Sequence, residues 1–156
     1  MTALPEALLR EIAIHARSTY PAECCGIVIA DRGGNPRFVP IANIAGTADA
    51  EGTSRRTRRD GYVMDPKTLL GELSRAEEEG GFLRVIVHSH PDVGAYFSSE
   101  DREMALGGGT EPLWPGVEYL VVSCRETGVD DATLYCWDAT RSDFQEKQVP
   151  ITSAFR

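Results

Sequence analysis

His88 and His90 stand one residue apart at the end of an apolar run, in VIVHSHPDVGAYFSSED, residues 85–101. In a strand, side chains at i and i+2 face the same side. The two imidazoles therefore project together, at a separation suited to sharing one tetrahedral ion. An HxH pair is weak evidence alone, because such pairs also serve as satisfied polar groups at strand ends. Seven residues separate His90 from Ser98, and Asp101 comes three positions after that serine. Ser-x-x-Asp ahead of a helical segment is a capping box. Capping and chemistry are compatible: the first helical turn can present Asp101 back toward the strand end. One carboxylate and two neutral imidazoles suit Zn²⁺, and three protein ligands leave the open position that distinguishes a catalytic site from a structural one. A hydrolytic zinc site also needs a base that accepts a proton from water. Glu23, in YPAECCG, is the candidate, although in isolation it reads as an ordinary exposed glutamate.

These residues need elements to position them. Leu8, Leu9, Ile12 and Ala16 form one stripe and predict a helix over 5–17, with His15 off the stripe as a solvated or hydrogen-bonded side chain. PAECCGIVIA predicts a strand over about 25–31, DRGGNP a turn, and RFVPIAN the return strand. Residues 44–60 carry four arginines (Arg55, Arg56, Arg58 and Arg59) and no apolar period. They read as a surface loop, or as a flap gripping an acidic or extended partner. Asp65 can cap a second helix with Pro66 in its first position, a stripe of Leu69, Leu70, Leu73 and Ala76, and Gly80 and Gly81 as its stop. FLRVIVHSH reads as a strand buried on both faces, followed by a short helix from near Ser98. GGGTEPLWPG lacks the lysine and hydroxyl residue of a phosphate loop. VEYLVVSC, ATLYCWD and FQEKQVPI complete the strands. The expected fold is α/β or α+β, a single domain over 1–156 with a core of about 5–140, a C-terminal strand or tail of about 141–156, and a central mixed sheet flanked by helices.

Composition narrows the function. The chain has 156 residues, enough for one buried core, and its net charge of −8 argues against a general nucleic-acid binder. No apolar run is long enough to cross a bilayer, and MTALPEALLREIAIHARS has no signal-peptide core, so a cytoplasmic location is expected. Cys24, Cys25, Cys124 and Cys136 form no CxxC pair and are expected to be reduced, with Cys24 and Cys25 pointing to opposite faces of a strand.

P-x-E-x-C-G near the N-terminus followed by H-S-H-P-x(6)-S-x-x-D resembles the JAMM signature of the MPN+ zinc metalloprotease family. The matching residues are Pro21, Glu23, Cys25, Gly26, His88, Ser89, His90, Pro91, Ser98 and Asp101. The resemblance covers roughly residues 5–140 and implies a cytidine-deaminase-like sandwich of the small stand-alone prokaryotic type. It further implies one catalytic Zn²⁺ on His88, His90 and Asp101, with water as fourth ligand. Glu23 would take the water's proton and deliver it to the leaving amine, and Ser98 would hydrogen-bond the oxyanion. Ser89 and Cys25 would be structural. The implied reaction is amide hydrolysis, peptide or isopeptide, at or near the C-terminal tail of a protein substrate. A ubiquitin-like sulfur carrier is the implied class, its glycine-rich tail lying along a strand edge and its body against the arginine loop. Phe97 departs from the family, where proline commonly precedes the serine. Three alternatives compete: a non-catalytic MPN-type scaffold, a deaminase, which would need H-x-E and PCxxC segments that are absent, and a thiol hydrolase using Cys24 or Cys25.

Overall fold

The computed structural model describes residues 3–47, 57–152 and 155. Helix α1, Glu6–Thr19, follows Pro5 and buries Leu8, Leu9, Ile12, Ala13 and Ala16. His15 is half-buried rather than solvated, with its ring centroid 5.7 Å from that of Phe38. The chain then enters β1, Cys25–Ala30, buried at every position, and returns along β2, Pro36–Ile41. Asp31 closes this hairpin by accepting the Asn35 amide at 2.9 Å. Pro36 and Pro40 offer no ladder donor, which suits β2 to the sheet edge it occupies. Gly26 is required where the two strands meet, because a Cβ there would lie 2.6 Å from both the Phe38 ring and the Val39 carbonyl.

Helix α2, Pro66–Glu78, begins where Asp65 and Pro66 predict, but the Asp65 side chain makes no cap hydrogen bond and instead accepts the Thr68 hydroxyl at 2.6 Å. Its buried stripe is narrower than expected: Leu69, Leu73 and Ala76 face the sheet, while Leu70 is 62% exposed. Gly80, at φ +78°, turns the chain into β3, Phe82–Pro91. Next come α3, Ser99–Leu106; β4, Glu118–Arg125; β5, Gly128–Asp138; and β6, Asp143–Gln148. Strand β5 starts four residues earlier than its apolar run predicts, because Val129 is buried beyond the polar Asp130 and Asp131.

The architecture is a mixed α+β single domain. Its six strands run β2-β1-β3-β4-β5-β6, and every neighbouring pair is antiparallel except β3 and β4. Alternation along each strand builds the two faces. Val28, Val85, Val87, Leu120 and Val122 pack with α1 on one face. Ile27, Ile29 and Ile86 meet α2 on the other, and Tyr119, Val121 and Tyr135 meet Ala105 of α3 beside them. His88 and His90 share the register of Ile86. They therefore rise at the carboxyl ends of the parallel pair, on the face carrying α2 and α3, the kind of crevice where open sheets hold ligands.

Candidate metal centre and active-site cleft

The parity of β3 brings the two imidazoles together, with their Nε2 atoms 3.2 Å apart. The His90 Nδ1 lies 3.1 Å from the Gly94 carbonyl, which can only accept. That contact fixes the proton on Nδ1 and leaves the Nε2 lone pair for a ligand. Tyr62 stacks on His88, ring centroids 4.7 Å apart, and fixes its plane. The His88 Nδ1 is buried with no hydrogen-bond partner among the described residues.

Asp101 arrives from the other side. Ser98 caps α3 by accepting the Asp101 amide at 3.0 Å, and the Asp101 Oδ2 accepts the Ser98 amide at 2.9 Å, completing the capping box. The same Oδ2 stands 3.2 Å from the His88 Nε2 and 3.3 Å from that of His90. Three donor atoms thus form a nearly equilateral triangle. Around an ion with bonds of about 2.0–2.1 Å, the edges of a coordination tetrahedron are about 3.3 Å. The donor set fits a metal ion with one corner left over.

Glu23 completes the group from the approach to β1. It is 4% exposed, far from the surface residue its local sequence suggests. Donor atoms of Glu23, His88 and His90 all lie within 4.8 Å of one another, so this trio could also hold a metal. The structure therefore brings two carboxylates to one histidine pair. Glu23 and His90 face a cleft of about 180 Å³, which Ser98, Arg59 and Glu100 also line. Among described residues, the Ser98 oxygen is engaged only as the acceptor for Asp101, so its O–H can point into the cleft.

Electrostatics favours the protonation states of metal ligands at His88 and Asp101, while at His90 it favours a proton that a metal ion would have to displace. Burial lowers the His88 pKa and outweighs the attraction of Asp101, keeping that ring neutral. For His90, burial acts in the same direction, but the hydrogen bond and charge of Asp101 prevail and raise the value. The Asp101 carboxyl, despite its burial, is held well below the usual carboxylate range by the two histidines and the Ser98 amide.

Other sequence candidates fall outside the centre. The Ser89 hydroxyl faces away from the histidines and accepts the Cys24 amide at 2.7 Å. Cys24 packs on the α1 face, whereas the Cys25 Sγ donates to the Ile41 carbonyl on the opposite side. All four thiols are free, and burial pushes Cys24 up to about 12. Burial likewise raises Cys25, so neither supplies the thiolate that a thiol hydrolase needs. Arg58 and Arg59 are exposed, while Arg55 and Arg56 lie outside the described residues. Phe97, in place of proline, stacks on Tyr135 at 4.9 Å and meets Phe144 at 5.0 Å, pinning the start of α3 to the sheet.

The fold and the donor set define an α+β domain with a cluster of side chains that could hold a metal ion at the carboxyl ends of a parallel strand pair. Residues 5–138 match Prok-JAB, the prokaryotic homologs of the JAB domain, and the chain belongs to that family. Among curated proteins it is 29% identical to Desampylase of Haloferax volcanii over 146 residues, 94% of this chain and 90% of that protein. It is 33% identical to tail tip assembly protein K of Escherichia phage N15 over 91 residues, 58% of this chain and 31% of that one. Two solution structures share the fold. One, from Desulfitobacterium hafniense, has a TM-score of 0.65 and 21% identity, covering 93% of this chain and 88% of that one. The other, from Salinibacter ruber, has a TM-score of 0.60 and 23% identity, covering 100% and 99%. No helix among the described residues is long and apolar enough to cross a membrane.

Proposed function

We propose that this protein is a zinc-dependent peptidase or isopeptidase that hydrolyses an amide bond at or near the C-terminal tail of a protein substrate, of the ubiquitin-like sulfur-carrier class. The observation that carries this reading is the triangle of donor atoms at 3.2, 3.2 and 3.3 Å on His88, His90 and Asp101. The buried Glu23 carboxylate beside it supplies the missing base. Likeness to a protein named Desampylase over 94% of the chain supports the class of activity.

In this reading His88, His90 and Asp101 hold the ion. When bound, zinc lowers the pKa of water to about 7 and polarises a carbonyl. Glu23 takes a proton from the attacking water and returns it to the leaving amine. The Ser98 hydroxyl donates to the oxygen on which negative charge develops. Arg58 and Arg59, beside the cleft of an otherwise acidic protein, would meet the body of the substrate.

The test is metal analysis joined to cleavage of linear fusions and lysine-linked conjugates of a sulfur carrier. One zinc per chain is expected, with cleavage abolished by a chelator and restored by zinc. Cleavage that survives complete metal removal would sink the assignment. The partial match to a tail tip assembly protein raises a scaffold role, and a zinc-loaded protein that cuts nothing in the panel would favour it.

Ser98 allows its two duties to be separated. Ser98→Ala should cost about 1 kcal/mol of stability through the lost cap and about 100-fold in kcat through the lost donor. Ser98→Gly should share the rate loss while keeping stability within a few tenths of a kcal/mol of wild type. Thermal unfolding and steady-state kinetics on the pair check both parts.

A further inference from the structure

Glu23 sits outside the sheet ladder, which begins at Cys25. Something other than strand pairing must therefore fix its main chain, and the bonds that do so converge on Asn43. The Asn43 Nδ2 donates to the Glu23 carbonyl at 3.0 Å and to the Gly61 carbonyl at 3.1 Å. It also approaches the Arg58 carbonyl at 3.5 Å. The Asn43 Oδ1 accepts the Ala45 amide at 3.1 Å and the Val63 amide at 3.0 Å. Both amide protons and both oxygen lone pairs are in use, the full capacity of an asparagine. A further bond, from the Glu23 amide to the Arg58 carbonyl at 2.6 Å, ties the same loop to the same residue.

The loop held in this way carries Tyr62, whose ring stacks on His88. One side chain thus joins the glutamate two residues before β1 to the residue that backs a histidine of the centre. We propose that Asn43 is a positioning residue: its amide sets the Glu23 carboxylate against the histidine pair through main-chain bonds to Glu23 and to the Tyr62 loop. This rests on the reading of Glu23 as the base. Asn43 itself touches neither imidazole nor Asp101 in any hydrogen bond of the described residues, so its effect is on geometry and not on the ligand set.

Asn43→Ser is too short to reach both carbonyls, and Asn43→Asp keeps the shape and the acceptor but loses the donors. The aspartate also adds charge, so a loss shared by both variants is geometric. Each should load zinc within about threefold of wild type, with kcat down about 100-fold and KM little changed, as expected for a misplaced base. In metal-free protein, amide exchange across residues 57–64 should rise at least about tenfold while β3 and β4 stay protected. Added to Glu23→Gln, either substitution should cost less than about threefold more, because both act through one group. Should Asn43→Ser fail to fold, Asn43→Asp carries the same expectations.

A full further loss in the Glu23→Gln background would make Asn43 a general structural residue and overturn the inference. So would zinc affinity that falls in step with kcat. An inactive Glu23→Gln beside fully active Asn43 variants overturns this inference alone. Glu23→Gln with wild-type activity overturns the base assignment, and this inference with it.

Discussion

Glu23→Gln is expected to bind zinc as the wild type does and to lose about 1,000-fold in kcat, roughly 4 kcal/mol of barrier. The substitution is nearly isosteric at a residue only 4% exposed, so packing around it changes little. What changes is chemistry, since an amide accepts no proton at neutral pH. Loss confined to kcat marks an interaction made in the transition state, whereas a change in KM would mark one made with bound substrate. The outcome is informative because a Glu23, His88 and His90 trio has donor atoms close enough to hold the ion by itself. If Glu23 were a ligand, zinc affinity would fall together with rate. Competitive titration against a chromophoric chelator, alongside steady-state kinetics on one preparation, separates a base from a ligand.

Much of the centre was legible in the sequence because its geometry is local. Residues i and i+2 of a strand share a face, which puts His88 beside His90 whatever the rest of the fold does. Ser-x-x-Asp ahead of a helix aims the N3 carboxylate back at its own cap, and in α3 that direction is also toward the imidazoles. Convergence of the strand end with the helix start was not written in spacing. The cap only permits it, and the fold supplies it through the crossover that carries α3 between the parallel strands β3 and β4.

What escaped the sequence depends on contacts between distant segments. The burial of Glu23 arises from strands and loops that close over it, and nothing in YPAECCG encodes them. Asn43 looks like one more polar residue in a run of small ones, and its partners Glu23, Gly61 and Val63 lie 18 and 20 positions away. Tyr62 carries no local mark of a ring that backs a histidine. Leu70 belongs to the apolar stripe of α2 by spacing, but the sheet covers a narrower face than the stripe and leaves it exposed. Phe97 stands out in the sequence as a departure from proline, but the aromatic cluster that receives it is assembled from β4, β5 and β6.

Asp101→Ala is expected to remove zinc binding and to weaken the metal-free protein, two losses with separate causes. Half of the capping box is lost, because the Ser98 amide loses its acceptor while the Ser98 hydroxyl still caps the backbone amide of residue 101, which costs about 1 kcal/mol. Zinc affinity should fall well beyond the roughly 100-fold typical of losing a supporting partner, since a ligand itself is gone. At zinc about 1,000 times the wild-type Kd, binding adds about 4 kcal/mol to wild-type stability. A variant weakened 1,000-fold would gain only about 0.4 kcal/mol at the same concentration, so the zinc-dependent rise in Tm should nearly vanish. The metal-free comparison has its own pH signature. The depressed Asp101 contributes stability above its unfolded value of about 3.9 and loses it as pH falls through the folded value. The raised His90 contributes fully below about 6.5 and loses that contribution as pH climbs through its folded value. Wild type should therefore exceed Asp101→Ala by most between about pH 4 and 6.5, with the gap narrowing on either side. Denaturant titrations of chelated protein across that range measure it. A variant that still takes one zinc with wild-type affinity would mean that Glu23, not Asp101, completes the ligand set, and the two carboxylates would exchange roles.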